Sequence, residues 1–306
     1  MRAEVGLLSR NLKFRGEAES SAHNLYGAQI MLAGKNVSGK FSNIQLNDAG
    51  QAHKNGRYPI HFHMTGNVAG SYIKNVAIDS SHNRGITLHG VQELHLEGNV
   101  IYKNRGHSIF IEDGVETHNM ILNNLVVDTR RTFSLLITDQ TPASFWIQHP
   151  DNHFIGNHAA GSDRYGFWYD LPDHPTGASA DPGICPINSK LGTFDMNVAH
   201  SNVRYGLRIF HGLNPRRFPC RPINEDQESY DYNPRIHADF TNFVGYKNRR
   251  DGAIAQGIGH VTFTNFKVAD NMKAGMEVST INSSEDGLAM IRGGFVVGLS
   301  ENAGLE

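Results

Sequence analysis

The sequence predicts an all-β chain wound as a single-stranded, right-handed parallel β-helix, and two observations carry that expectation. Short units recur: SHNRGITLHG (81–90), YKNRGHSIFIEDG (102–114), GSDRYGFWYDL (161–171), HSNVRYGLRIF (200–210), YKNRRDGAIAQG (246–257) and ADNMKAGMEVS (269–279). Each has a polar cluster with Asn or Asp, then a glycine, then an alternating apolar run. Successive glycines (Gly85, Gly106, Gly166, Gly206, Gly252 and Gly275) are separated by near multiples of roughly 20–23 residues, the length of one coil. A second short apolar run precedes each unit, as in YIKNVAID and TFDMNVAH, and no helical periodicity intervenes. A leucine-rich repeat would show leucines at fixed spacing, and a β-sandwich would not repeat this corner in phase.

Each part of the unit has a physical reason. Alternation suits strands with one buried face, asparagine tolerates a left-handed corner, and glycine permits a tight bend. The six glycines are expected on one edge of the coil. Two proline-rich segments, 171–192 and 211–235, break the period and read as loops projecting from it. Each carries one cysteine, Cys185 and Cys220. These are either free thiols of an intracellular protein or a disulfide that ties the insertions together, and the second is expected.

The chain of 306 residues has a net charge of −2 and 19% charged residues, which gives no electrostatic case for nucleic acid or an anionic membrane. No apolar run reaches the roughly 20 residues that span a bilayer. The opening residues lack the apolar stretch of a signal peptide. Residues 1–306 therefore read as one soluble β-helix domain. Sequons at Asn36 and Asn282 fit a secreted chain.

Aligning the strands after each corner gives IHFH (60–63), ITLH (86–89), IFIE (109–112), FWIQ (145–148) and FWYD (167–170). Ile60, Ile86, Ile109, Phe145 and Phe167 then form one inward column, and Phe62, Leu88, Ile111, Ile147 and Tyr169 another. One outward column reads His63, His89, Glu112, Gln148, Asp170. Its neighbour reads His61, Thr87, Phe110, Trp146, Trp168. Rungs about 4.8 Å apart let side chains from three coils share one ion. His61, His63, His89 and Glu112 are thus candidate metal ligands, and His107 a further ligand or second-sphere partner. Nitrogen-rich ligation favours zinc or another transition metal over calcium. The alternative is a hydrogen-bonded polar ladder without metal. Outward Trp146 and Trp168 form either a platform for stacking sugar rings or an apolar patch covered by the loop 171–192.

RAEVGLLSRN, GRYPIHFHMTGN, GHSIFIEDGVETHN, ASFWIQHPDNHFIGNHAAGS, GFWYDLPDHPTGAS and AHSNVRYG also carry a family resemblance. They resemble the β-helix region shared by fibrocystin, fibrocystin-L and the cell migration-inducing and transmembrane hyaluronidases, from about residue 2 to 270. FIEDGVET and PASFWI are more similar to the fibrocystin-L branch. The resemblance implies that the chain is an interior fragment of a longer extracellular or cell-surface protein, ciliary in some members. In the hyaluronidase branch it implies calcium-dependent depolymerisation of hyaluronan.

Two functions follow. One is a structural or glycan-binding module whose partners are extracellular glycans or surface-coat and filament proteins. The other is a metal-dependent depolymerase of an acidic polysaccharide, with Glu112, Asp113 and His107 as catalytic residues. A glycosidase needs two carboxylates about 5–9.5 Å apart, which Glu112 with Asp113 or Asp170 supplies. An acidic glycan should also meet a basic groove, for which Arg57, Arg84, Arg105, Arg130, Arg131 and Arg164 are candidates. Arg84, Trp146 and Trp168 are the expected ligand contacts.

Overall fold

A computed structural model of the chain describes residues 3–134, 136–221, 233–281 and 289–303. Strands of three to eight residues stack into three parallel sheets of ten, nine and nine strands. Each coil adds one strand to each sheet, as Tyr72–Lys74, Ala77–Asp79 and Ile86–Gln92 do. The stack runs from Leu12–Arg15 to Phe295–Val297, and the chain is a parallel β-helix. Strands around Gly85 and Gly106 pair in parallel, Ile86 against Ile109, so no antiparallel register intrudes there.

The inward columns are those the alternation requires. Ile60, Ile86, Ile109, Phe145 and Phe167 are successive register partners, all fully buried. They belong to one core that extends from Ile44 to Phe266. Its later coils are filled by phenylalanines stacked rung upon rung, including Phe194–Phe240 at 5.2 Å and Phe243–Phe266 at 5.1 Å between ring centroids.

The corners divide asparagine into two roles. Asn75, Gly98, Asn123, Gly156 and Met196 hold left-handed φ between 52° and 66° at one corner column. The residue after four of these is a buried asparagine with ordinary φ. Asn99 donates to Asn124, Asn124 to Asn157 and Asn157 to Asn197, at 2.8, 2.9 and 3.1 Å. The ladder satisfies backbone groups that the bend removes from the sheets, because a buried N–H or C=O left unpaired is costly.

The glycine edge needs one correction. A Cβ on Gly166, Gly206 or Gly252 would lie 2.5, 2.5 and 2.7 Å from the carbonyl oxygen of the next glycine in the stack. Gly85 and Gly275 share that column. Gly106 does not: the register pairs Gly85 with Ser108, two residues on, and Gly106 takes a left-handed φ of +82° beside Asp139.

The first period-breaking segment leaves the coil as a loop, and of the second only residues 211–221 and 233–235 are described. The first contains short 3-10 turns at Gly177–Ser179 and Pro186–Asn188. Cys185 and Cys220 are disulfide-bonded, with Cα atoms 5.3 Å apart, tying the two insertions together. Among the described residues, no helix is long and apolar enough to cross a membrane.

Candidate metal centre

The strand Ile60–Asn67 delivers His61 and His63 to the outer face of one nine-stranded sheet, and Ile86–Gln92 delivers His89 beside His63 in register. The short strand Ile109–Ile111 ends just before Glu112, which follows on the next rung. Potential ligand nitrogens of the three histidines all lie within 4.8 Å of one another. His63 Nδ1 and His89 Nδ1 are 3.0 Å apart, and Glu112 Oε2 is 3.5 Å from His89 Nδ1. Two nitrogens bound to one tetrahedral zinc at about 2.1 Å stand roughly 3.4 Å apart, a spacing near that of the His63–His89 pair.

The hydrogen bonds around the cluster leave lone pairs pointing inward. His61 Nδ1 is 3.0 Å from the Gly56 carbonyl, which can only accept, so Nδ1 carries the proton and Nε2 is a free acceptor. That Nε2 is buried without a hydrogen-bond partner, as is Glu112 Oε2. On His89, Nε2 lies 2.7 Å from Asp113 Oδ2, which fixes a proton there, and Nδ1 is hydrogen-bonded to His63 Nδ1 at 3.0 Å. Burial pushes the His61 pKa down to about 3, so this imidazole is neutral. Burial and then His89 also lower His63. Burial opposes protonation of His89, but the hydrogen bond to Asp113 and the Glu112 charge outweigh it, and its pKa is raised. Burial raises Glu112 against the pull of Arg84.

Glu116, which the sequence reading passed over, holds the turn that carries Asp113. It is fully buried and accepts from the backbone N–H of Gly90 at 2.7 Å, Gly114 at 2.8 Å and Val115 at 3.1 Å. Its signal in the sequence is the EDGVET run, a carboxylate two residues beyond a glycine turn. The insertion 171–192 closes over the same side: Thr176 N donates to the Asp113 carbonyl at 3.2 Å, and Ser179 Oγ lies 3.7 Å from Met64 Sδ.

Other expected site residues lie elsewhere. Arg84 is wholly buried and cannot meet a ligand. It pairs with Asp139 at 3.3 Å, donates to the Tyr58 hydroxyl at 3.0 Å and stacks on Phe110 at 3.7 Å. His107 is wholly buried beneath Trp146; its Nδ1 accepts from Ala143 N at 3.0 Å, and burial lowers its pKa to about 3. It is outside the group of converging nitrogens. Trp146 and Trp168 are 2% and 7% exposed, so neither indole offers an open face. They pack on each other at 4.6 Å and against His107, Tyr165 and Arg208. The contacts of the insertion at Thr176 and Ser179 lie with Asp113 and Met64, away from both indoles.

Of the arginines, Arg130 and Arg131 are paired with Asp128 and Asp163. Asp170 lies 3.3 Å from His211 Nδ1. Asn36 is exposed, with a left-handed φ of +62°; Asn282 lies outside the described residues.

Residues 25–207 match the family model described as "CEMIP beta-helix". Mouse fibrocystin-L is 32% identical over 99% of this chain and 8% of its own length. Human cell surface hyaluronidase CEMIP2 is 32% identical over 89% of this chain and 23% of its own. The human cell migration-inducing and hyaluronan-binding protein is 29% identical over all of this chain and 27% of its own. The chain thus spans from about a twelfth to about a quarter of these relatives. With more than half its length matched, coil for coil, the chain belongs to the CEMIP beta-helix family.

Proposed function

We propose that the chain is a cell-surface β-helix module that binds extracellular glycans and holds a divalent transition-metal ion with His61, His63 and His89, while the expected fourth ligand, Glu112, stands beside His89 and outside the converging group. One observation carries the metal reading. His61 Nε2 is a buried acceptor without a hydrogen bond, and the ligand nitrogens of His61, His63 and His89 lie within 4.8 Å of one another. Such an atom is costly to bury unless something satisfies it, and a cation held by the three imidazoles satisfies it. Imidazole nitrogens suit zinc; they do not supply the all-oxygen shell that calcium prefers. The glycan part rests on the relatives named as hyaluronidases and as hyaluronan-binding.

Metal content measured after dialysis against zinc tests this. Near one ion per chain is expected, falling to background in His63→Ala/His89→Ala with the melting transition retained, because neither side chain fills the core. Full metal content in that double variant would sink the assignment.

A second reading has its own support. Glu112 and Asp113 flank opposite edges of the His89 ring, and burial raises the first while the second is net lowered. A raised and a lowered carboxylate side by side suit acid and base roles. If the module is a depolymerase, it shortens long hyaluronan on a sizing gel and Glu112→Gln does not.

A further inference from the structure

The outward column that starts at His61 continues past the indoles. Through Thr87, Phe110, Trp146 and Trp168 its register reaches Arg208, five rungs and about 24 Å from the histidines. The Arg208 guanidinium lies 4.3 Å from the Trp168 ring centroid, 4.5 Å from Phe210 and 4.9 Å from Tyr165. Beside it, Arg164, Arg204 and Arg250 occupy three successive rungs, with Arg204 N bonded to Arg164 O at 2.8 Å and Arg250 N to Arg204 O at 3.0 Å. Arg250 also faces the Tyr205 ring at 5.5 Å.

All four arginines are half-buried, and among the described residues none has a carboxylate within ion-pair distance. The side chains of Arg204, Arg208 and Arg250 donate no hydrogen bond there either, whereas Arg84, Arg130, Arg131, Lys74 and Lys273 are all paired. Like charges on adjacent strands repel. Aromatic rings hold the Arg208 and Arg250 guanidiniums in place of ion-paired carboxylates, leaving donors for an anion from outside.

We propose that Arg164, Arg204, Arg208 and Arg250 form a docking surface for a carboxylate-bearing polysaccharide lying along the stack, with a guanidinium at each rung of about 4.8 Å. Asp170 and Asp251 act on Arg208 and Arg250 from beyond ion-pair distance, and a basic cluster so moderated, on a chain of net charge −2, matches a sparsely charged glycan better than a nucleic acid, whose phosphate density calls for a broad basic face. The inference rests on reading the chain as a glycan-binding module, and it names the acidic class and the residues.

Calorimetric titration with a hyaluronan decasaccharide, a neutral cello-oligosaccharide and a single-stranded DNA oligomer tests it. Hyaluronan binding that weakens with salt is expected, lowered about tenfold or more in Arg204→Gln/Arg208→Gln/Arg250→Gln with a shallower salt slope. Arg250→Glu alone should weaken it too, which covers the case of a triple variant that folds poorly. Unchanged affinity in both variants, equal binding of the neutral sugar, tighter binding of DNA, or no hyaluronan binding by the unaltered chain would each overturn the surface. Metal content, measured on the same samples, reports on the histidine centre separately. Metal-free protein with arginine-dependent binding would leave this surface standing and sink the metal assignment.

Discussion

Asp139 and Arg84 show what a single buried charge demands. Both side chains are fully buried, and the pair is completed by Tyr58 and, at 3.8 Å, by Glu112. Removing one partner leaves the other charge uncompensated. Asp139→Ala should therefore cost about 3–5 kcal/mol in chemical unfolding, and Arg84→Met/Asp139→Leu considerably less. A cost below about 1 kcal/mol for the single change would show that the pair does not hold the turn. Burial alone would raise the Asp139 pKa, but Arg84 and then His107 outweigh it, so its folded value lies below the ordinary 3.8. A depressed carboxylate stabilises above its unfolded pKa, and that contribution is lost as pH falls through the folded value. Acid unfolding of Asp139→Asn should accordingly start from a lower plateau and show a shallower loss below pH 3.8.

At the level of the element, the corner asparagines separate into two kinds, and mutation should tell them apart. Asn157 accepts from the backbone and side chain of Asn124 and donates to Ile121 O and Asn197. Asn157→Ala orphans several buried groups at about 1–3 kcal/mol each before relaxation, so a net loss of about 2–4 kcal/mol is expected. Asn123, one residue earlier, serves its corner through a left-handed φ of 53°. Asn123→Gly should be neutral within about 0.5 kcal/mol, while Asn123→Val should cost roughly 1–2 kcal/mol. Equal effects at the two positions would contradict the division. The spacing of N-x-x-x-G revealed that corners exist, but single-sequence reading assigns every asparagine the same role. Which one bends and which one stacks depends on the coil above it.

Across the whole molecule, residues 4–10 form a strap over the ten-stranded sheet, perpendicular to its strands. Glu4 sits between His158 at 2.9 Å and His200 at 3.2 Å, and Arg10 reaches the Asn75 carbonyl at 2.8 Å. Burial opposes ionisation of Glu4, but the His158 hydrogen bond and its own backbone outweigh it, and its pKa falls below 4.5. The docking it supplies is present above pH 4.5 and weakens as pH drops through the lower folded value. Amide exchange in this segment should quicken in that acid window and in Glu4→Gln at neutral pH. Exchange that ignores both changes would mean the strap is held without Glu4. The Cys185–Cys220 bridge acts outside the coil, between two insertions. In a solenoid, stability is nearly a sum over neighbouring rungs. Reduction should thus expose the segment 171–192 to protease while the far-ultraviolet dichroism and the main melting transition stay almost unchanged. Loss of the coil on reduction would refute that independence.

The sequence by itself determined the coil, its inward columns and the nearness of His61, His63 and His89, because side-chain alternation and rung length are local properties that repeat. Stacking equal repeats turns sequence spacing directly into distance, so the outward columns were legible residue by residue. It did not determine burial on the outer face. Arg84, His107, Trp146 and Trp168 occupy outward or corner positions, and alternation alone gives them to solvent. In the folded chain Asp139 and Tyr58 come from other parts of the coil to close over Arg84, Trp146 covers His107, and Tyr165 packs on Trp168 within one strand. The tertiary structure alone also decided that Gly106 leaves the glycine column, that Glu116 braces the turn at Asp113, and that Arg164, Arg204, Arg208 and Arg250 lie side by side with, among the described residues, no carboxylate at ion-pair distance. Each of these depends on how a corner of one rung meets the corner of the next, and corner geometry varies with insertions that break the repeat.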